Sequence, residues 1–166
     1  ILTQLLVMAL KGVPAFYLPA LLASENDIKS FSMTGQRRDL NREKFKSDNL
    51  LSVLNNPESN ANKNLKYLRN AMDVRSELKQ FHPCSQMKCL SKGRSDIVVI
   101  KRGKGAESVF AIHNMTENKI NYQLNDNDLP KIIDNDFNTH DFLTSTKYNC
   151  KNISLDPFQV IWLSAL

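Results

Sequence analysis

The sequence predicts an α/β portion followed by an all-β portion, and three patterns support this prediction. Residues 1–10 are almost wholly apolar and are followed by Lys11 and Gly12, as at the C-terminal end of a helix. Residues 62–79 carry apolar side chains at every third or fourth position, which is typical of an amphipathic helix. From Cys84 onward the chain consists of short runs rich in β-branched and aromatic residues, separated by turn-prone pieces.

The first two elements are predicted to be a helix over Ile1–Leu10 and a short buried strand over Val13–Leu18. Pro14 fits this strand because proline is tolerated at a strand's first positions, and Phe16 and Tyr17 favour extended structure. A helix that enters a buried strand through a two-residue turn is half of a β–α–β repeat, the unit from which parallel sheets are built.

The apolar start of the chain has two other interpretations. A transmembrane helix over Ile1–Ala23 has the required length of about 20 residues, but Lys11, Gly12 and Pro14 lie at its centre, where charge is unfavourable. A signal peptide would need a basic leader and a small-residue cleavage pattern, which the segment lacks. We therefore favour a folded segment. Since Ile1 begins a helix without an N-cap residue, we expect the chain to be part of a longer protein.

The remaining elements follow in order. The stretch Ala23–Asn60 is polar and irregular, with a short helix predicted at Asn49–Leu54. A long amphipathic helix is predicted over Asn62–Lys79, and Phe81-His82-Pro83 ends it. The predicted strands are Ile97–Lys101, Val109–His113, Ile120–Leu124, Asp141–Leu143 and Phe158–Leu163. We expect two domains, residues 1–83 and residues 84–166, the second being a small antiparallel β-sandwich.

Composition and charge argue against several classes of function. With 42% hydrophobic and 23% charged residues, the chain has the composition of a soluble folded protein. Its net charge of +5 comes from scattered Lys and Arg rather than a basic stripe with interleaved aromatics, which argues against nucleic-acid binding. The odd number of cysteines, three, without paired CxxC spacing, favours reduced thiols in a cytoplasmic protein. A zinc site of His82, Cys84 and Cys89 has a spacing that fits no common metal site.

Several short strings together resemble a known enzyme family. They are Gly12–Tyr17, Glu25–Asp27, Thr34-Gly35, Arg38–Arg42, Phe81–Pro83, Phe110–Asn114 and Leu155–Leu163. The chain thereby resembles the end of glycoside hydrolase family 13, the α-amylase family, and within it the sucrose phosphorylase group, which includes glucosylglycerate phosphorylases. The resemblance implies the end of a (β/α)8 TIM barrel followed by the β-sandwich. The string Leu18-Pro19-Ala20 departs from the glycine and acidic residues that follow this strand in most amylases, which argues against amylase activity.

The resemblance also implies a sugar-binding loop. Arg38 is expected at the sugar pocket, where it helps to hold the glucosyl unit, with Asp39 beside it, while Asn41 and Arg42 brace the loop. A guanidinium suits this role because it presents a fixed fork of donors to hydroxyls and carboxylates. The competing interpretation is that Arg38, Asp39 and Arg42 form only a solvated charge cluster that holds a long loop in place.

The chemistry implied by the resemblance is a retaining double displacement in which a carboxylate nucleophile and a carboxylic acid transfer glucose to phosphate. Those carboxylates come from earlier barrel strands, so no catalytic residue is expected in this chain. We expect no metal and no cofactor, inorganic phosphate as co-substrate, a small carbohydrate substrate, no membrane partner and a cytoplasmic location. Two alternatives remain open: a hydrolase or transglucosidase of the same family, and a non-catalytic β-domain interaction module.

The single tryptophan has two interpretations. Trp162 could stack on a carbohydrate, because aromatic faces bind sugar rings. Its neighbours Ile161 and Leu163 are apolar, however, so the segment has the pattern of a buried strand. We therefore predict that Trp162 packs in the core.

Overall fold

The computed structural model describes residues 1–41, 44–125, 127–129 and 138–164. The helices are α1 (Leu2–Ala9), α2 (Leu18–Leu21), α3 (Ile28–Thr34), α4 (Ser47–Asn55) and α5 (Asn60–Glu77). The strands are β1 (Met87–Cys89), β2 (Ile97–Arg102), β3 (Val109–Asn114), β4 (Ile120–Tyr122), β5 (Asn138–His140), β6 (Lys147–Asn149), β7 (Ile153–Leu155) and β8 (Val160–Ser164). Short 3-10 segments lie at Arg37–Asn41, Lys79–Phe81 and Gly105–Glu107.

The described residues divide into two compact units. One, the sheet unit, contains residues 1–14 and the described residues from 71 onward, and the other, the helical unit, contains residues 15–70. The boundary at residue 70 lies inside α5.

An antiparallel sheet with the strand order β1-β2-β3-β8 organises the sheet unit. Its register places Val99, Ile112 and Ile161 side by side on one face. This face packs against the β4–β7 pair, to which Ile153 and Leu155 belong, and together they form a fully buried apolar cluster. Successive side chains of a strand point to opposite faces, and β2 buries residues on both: Ile97 and Val99 on this face, Ile100 and Arg102 on the other.

The second face of the sheet is also buried. Trp162 lies on this face next to Ala111, is fully buried, and packs its ring 4.7 Å from that of Phe81. Leu5 and Met8 of α1, which contacts β3, are likewise fully buried. All six residues of β3 are buried because the sheet is covered on both sides. The prediction that Trp162 packs in the core is confirmed, which excludes sugar stacking by this side chain.

Two arginines bind the carbonyl groups at the C-terminal end of α1. Arg102 of β2 is fully buried and donates to the oxygens of Ala9 at 3.0 Å and Leu10 at 2.6 Å. Arg75 of α5 donates to the oxygens of Met8 at 2.9 Å and Gly12 at 3.0 Å. The last carbonyls of a helix have no partner within the helix, and they carry partial negative charge. The guanidinium groups supply the missing hydrogen-bond donors, and their positive charge compensates the partial negative charge of the carbonyls. In these contacts the arginines bind carbonyl oxygens and not a carboxylate.

The helical unit uses asparagines for the same purpose. Asn64 is buried and its amide donates to the oxygens of Ala20 at 3.1 Å and Leu21 at 2.7 Å, at the end of α2. Asn62 donates to the oxygen of Leu54 at 2.6 Å, at the end of α4. Both asparagines belong to α5, which therefore fixes two shorter helices through its polar side chains.

Two predicted strands are wrong. The segment Val13–Leu18 is not a strand: residues 13–17 lie outside any sheet, and Val13 and Tyr17 are exposed. A strand needs a neighbour to pair its backbone groups, and the described residues offer this segment none. The segment Asp141–Leu143 is a turn, because the buried Asp141 carboxylate accepts from the backbone nitrogens of Trp162 at 2.7 Å and Leu143 at 3.2 Å.

The other predicted elements are confirmed within a few residues. The helices predicted at Ile1–Leu10, Asn49–Leu54 and Asn62–Lys79 correspond to α1, α4 and α5. The strands predicted at Ile97–Lys101, Val109–His113, Ile120–Leu124 and Phe158–Leu163 correspond to β2, β3, β4 and β8. Of the helices in the described ranges, none has both the length and the apolar character that crossing a membrane requires.

Candidate functional site

The loop predicted to bind sugar begins with the helix α3, whose first turn is capped by Asp27. The carboxylate of Asp27 accepts from the Ser30 backbone nitrogen at 2.9 Å and from the Ser30 hydroxyl at 2.6 Å. These hydrogen bonds from Ser30 favour the charged form and lower the pKa of Asp27. Asp27 is therefore ionised at neutral pH and serves as the N-cap of the helix.

The other end of α3 turns the chain into the 3-10 segment that carries the candidate residues. Gly35 has a positive φ of 66° and its nitrogen donates to the oxygen of Phe31, as in a glycine-terminated helix. The Thr34 hydroxyl lies 2.6 Å from a carboxylate oxygen of Asp39, to which it donates. The Asp27 nitrogen donates to the oxygen of Leu40 at 2.8 Å, which closes the loop on itself.

Arg38 is one of the exposed residues of this braced segment, together with Arg37. Its side chain has no hydrogen-bond or ion-pair partner among the described residues, whereas the carboxylate of the adjacent Asp39 is held by Thr34. Asn41 ends the 3-10 segment and is exposed. Arg42 lies outside the described residues, so its expected bracing role stays a prediction.

This arrangement suits binding rather than proton transfer. A guanidinium stays charged at all ordinary pH values and cannot act as a general acid or base. Its five donors can bind the oxygens of hydroxyl, carboxylate or phosphate groups. Asp27 and Asp39 already accept hydrogen bonds from Ser30 and Thr34. Within the described ranges, the structure thus leaves Arg38 without a partner on a fixed turn and gives Asp27 and Asp39 structural roles.

The residues that brace the loop were not identified from the sequence. Asp27 three residues before Ser30, and Gly35 seven residues after Ile28, are start and stop signals of a helix, and could have predicted α3. The bond from Thr34 to Asp39 has no such signal, because it depends on the turn at Gly35 bringing the two side chains together.

The alternative zinc site is not formed by the described residues, which contain no group of His, Cys, Asp and Glu side chains able to hold a metal ion. Nδ1 of His82 accepts from the backbone nitrogen of Cys84 at 3.2 Å. No disulfide joins the three cysteines; Cys84 and Cys89 are exposed, and Cys150 is buried in the apolar cluster.

Comparison with known proteins finds three glucosylglycerate phosphorylases among the relatives. That of Allomeiothermus silvanus is 32% identical over 114 residues, which are 69% of this chain and 20% of the relative. That of Escherichia coli is 21% identical over 163 residues, which are 98% of this chain and 27% of the relative. The chain thus spans about a fifth to a quarter of the length of these curated relatives. No protein-family model matches it.

The fold is shared with solved amylase structures. An α-amylase from Geobacillus thermoleovorans, solved in complex with acarbose, superimposes with a TM-score of 0.69 at 18% sequence identity, covering 98% of this chain and 32% of the amylase. At this identity the match establishes a common fold. Nearly the whole of this chain therefore has its structural equivalent within a much longer amylase.

Proposed function

From the premise that this chain belongs to the α-amylase family, glycoside hydrolase family 13, we propose that it is the C-terminal part of a retaining α-glucosyl phosphorylase. The chain resembles the glucosylglycerate phosphorylases of this family over most of its length. The parent enzyme transfers glucose from an α-glucoside to inorganic phosphate and releases glucose 1-phosphate. The relatives make glucosylglycerate the first substrate to test, with sucrose as the second.

The reaction proceeds by two displacements at the anomeric carbon. A carboxylate attacks this carbon while a carboxylic acid protonates the departing oxygen, and a phosphate oxygen then displaces the carboxylate, so that the configuration is retained. We assign both carboxyl groups to the part of the parent enzyme that precedes this chain.

The observation that carries the proposal is the exposed Arg38 on its braced turn. A cation held at the mouth of the barrel would donate to the hydroxyl oxygens of the glucosyl unit and to a neighbouring carboxylate. The bonds from Thr34 to Asp39 and from Asp27 to Leu40 hold the turn that presents it. Fixing the position of a binding group lowers the entropy lost when the substrate is bound.

The test is substitution of Arg38 in the complete parent enzyme. We expect Arg38→Ala to lower kcat/KM for phosphorolysis about a hundredfold, since a charge-assisted pair is lost in the transition state. Arg38→Lys should recover little of this activity, because an ammonium lacks the planar fork. Arg37→Ala removes the adjacent exposed arginine and is the matched control. An Arg38→Ala enzyme as active as the control would contradict the proposal.

A hydrolase or transglucosidase is the rival within the family, because solved neighbours of this fold include amylases. The two reactions differ in their product. Phosphate-dependent release of glucose 1-phosphate from glucosylglycerate or sucrose supports the phosphorylase, whereas phosphate-independent release of glucose supports the hydrolase.

A further inference from the structure

The sheet unit contains a cavity of about 580 Å³ whose lining is unusually basic. Four lysines line it, Lys11, Lys88, Lys101 and Lys104, against the single carboxylate of Asp128. Apolar side chains do not fill this cavity. Its volume lies within the range of about 300–1,000 Å³ that is typical of small-molecule sites.

Only part of this charge is neutralised by the protein. Lys88 forms an ion pair of 2.8 Å with Asp128. Lys101 donates to the backbone oxygen of Asp128, a neutral acceptor, and its ammonium lies 5.2 Å from the centre of the Phe110 ring. Lys11 and Lys104 have no hydrogen-bond or ion-pair partner in the part of the chain that the structure describes. The lining therefore has an excess of positive charge that no described side chain offsets.

The backbone of the cavity wall is held in place. Gly103 has a positive φ of 84°, and a Cβ atom there would lie 2.9 Å from Cγ of Gln80, so a larger residue would be strained and would displace Gln80. The nitrogen of Gly103 donates to the oxygen of Gln86 at 3.0 Å. The turn that carries Lys104 is thus fixed on one side of the cavity.

Two neighbouring charges act on the ammonium group of Lys101 in opposite directions, Asp128 more strongly than Lys88. Burial is the main cause that lowers the pKa of Lys101, and the nearby charge of Lys88 lowers it further, while Asp128 acts in the opposite direction. An anion in the cavity would act on Lys101 in the same direction as Asp128 and would attract the other ammonium groups of the lining directly.

We propose that this cavity binds a phosphate-bearing small molecule with at least two negative charges, held by Lys11 and Lys104. The lining holds lysines and no arginine, so an anion there would be bound by ammonium groups, which bind phosphate as point charges. It also has no aromatic side chain on which a nucleic-acid base could stack. Arg38 is not among the lining residues, and the proposal does not depend on the proposed function.

The test is calorimetric titration of the full chain with inorganic phosphate, pyrophosphate and glucose 1-phosphate, with glucose as the neutral control. We expect saturable binding of the phosphates, tighter for pyrophosphate than for phosphate and weaker at high salt, and none of glucose. The double variant Lys11→Gln/Lys104→Gln should bind pyrophosphate at least about tenfold more weakly, because two charge-assisted contacts are lost.

A matched double variant, Lys66→Gln/Lys147→Gln, changes the net charge equally at exposed lysines outside the cavity lining and should bind as the wild type does. Circular dichroism establishes that each variant is folded. Arg38→Ala should also leave this binding unchanged, which separates the site from the proposed sugar pocket. The proposal is overturned if the wild type shows no saturable binding, if both double variants lose affinity equally, or if a carboxylate-rich peptide of equal charge binds more tightly than pyrophosphate.

Discussion

His113 is a titratable residue that the sheet buries completely. It lies in β3, its Nδ1 is 3.4 Å from the oxygen of Val98, and burial lowers its pKa from the ordinary value of 6.5 to about 4. The folded protein therefore holds a neutral imidazole at pH values where the unfolded chain is already protonated. This linkage makes stability depend on pH.

We predict that the free energy of unfolding falls as the pH is lowered from about 6.5 towards 4. The unfolded chain binds a proton at His113 in this window and the folded chain does not, so the unfolded state is favoured by up to about 3 kcal/mol. Urea denaturation of the wild type and of His113→Gln at several pH values measures the difference. The variant cannot bind a proton at this position, so the slope of its unfolding free energy against pH should be smaller by the equivalent of about one proton. Equal slopes for the wild type and the variant would contradict the prediction.

At Arg38 the sequence and the structure supply different information. The resemblance of Arg38–Arg42 to a family motif selects this arginine; without the resemblance, the small contribution of surface ion pairs favours a solvated charge cluster. The structure shows that Asp39 is bound by Thr34 and that Arg38 is exposed. The bracing depends on side chains five positions apart meeting across a turn, which local propensity does not encode.

Among the elements, α5 does more than its amphipathic pattern predicts. In the helical unit its Asn62 and Asn64 bind the last carbonyls of α4 and α2, and in the sheet unit its Arg75 binds those of α1. Asparagine and arginine at such positions look like ordinary surface residues in the sequence. The carbonyl groups that they bind lie up to 67 positions away in the sequence, so only the folded structure shows that these side chains bind the helix ends.

We predict that Arg102→Met destabilises the chain by about 2–4 kcal/mol, because the carbonyls of Ala9, Leu10 and His82 lose a donor that is itself fully buried. Methionine retains much of the apolar volume of the arginine side chain, so the loss of stability measures mainly the contribution of the hydrogen bonds. Arg69→Met, at an exposed position of α5, is the control and should have little effect. The measurement is urea denaturation, and equal stability of the two variants would show that the carbonyls find other partners.

The strands show which elements a sequence can predict. Ile97–Arg102 and Val109–Asn114 are six residues long and rich in β-branched side chains, so their sequence pattern is sufficient to predict a strand. Met87–Cys89, Asn138–His140 and Lys147–Asn149 contain three residues each and carry polar side chains. Strands this short are defined by the partner with which they pair rather than by their own residues.

At the scale of the whole chain, several large apolar side chains are exposed. Val13 is 82% exposed, Met33 86% and Ile28 66%, which is unusual for large apolar residues of a self-contained domain. In the proposed parent enzyme such side chains would be covered by the rest of the barrel.

We predict that the isolated chain self-associates as its concentration rises, because exposed apolar surface drives association. Light scattering across a dilution series measures this, and Val13→Thr/Ile28→Gln/Met33→Gln should reduce it. A control with Lys29→Gln and Lys66→Gln alters exposed polar positions only and should associate as before. A chain that stays monomeric at every concentration would contradict the prediction.

The sequence by itself determined the order of helices before strands, the long helix α5, the main strands and the buried Trp162, since each depends on apolar periodicity within one segment. The tertiary structure decided the rest. It showed that Val13–Leu18 has no strand partner, that Asp141 closes a turn, and that four lysines surround one cavity. These features arise from residues far apart in the chain, whose meeting depends on long-range packing and pairing rather than on local preference.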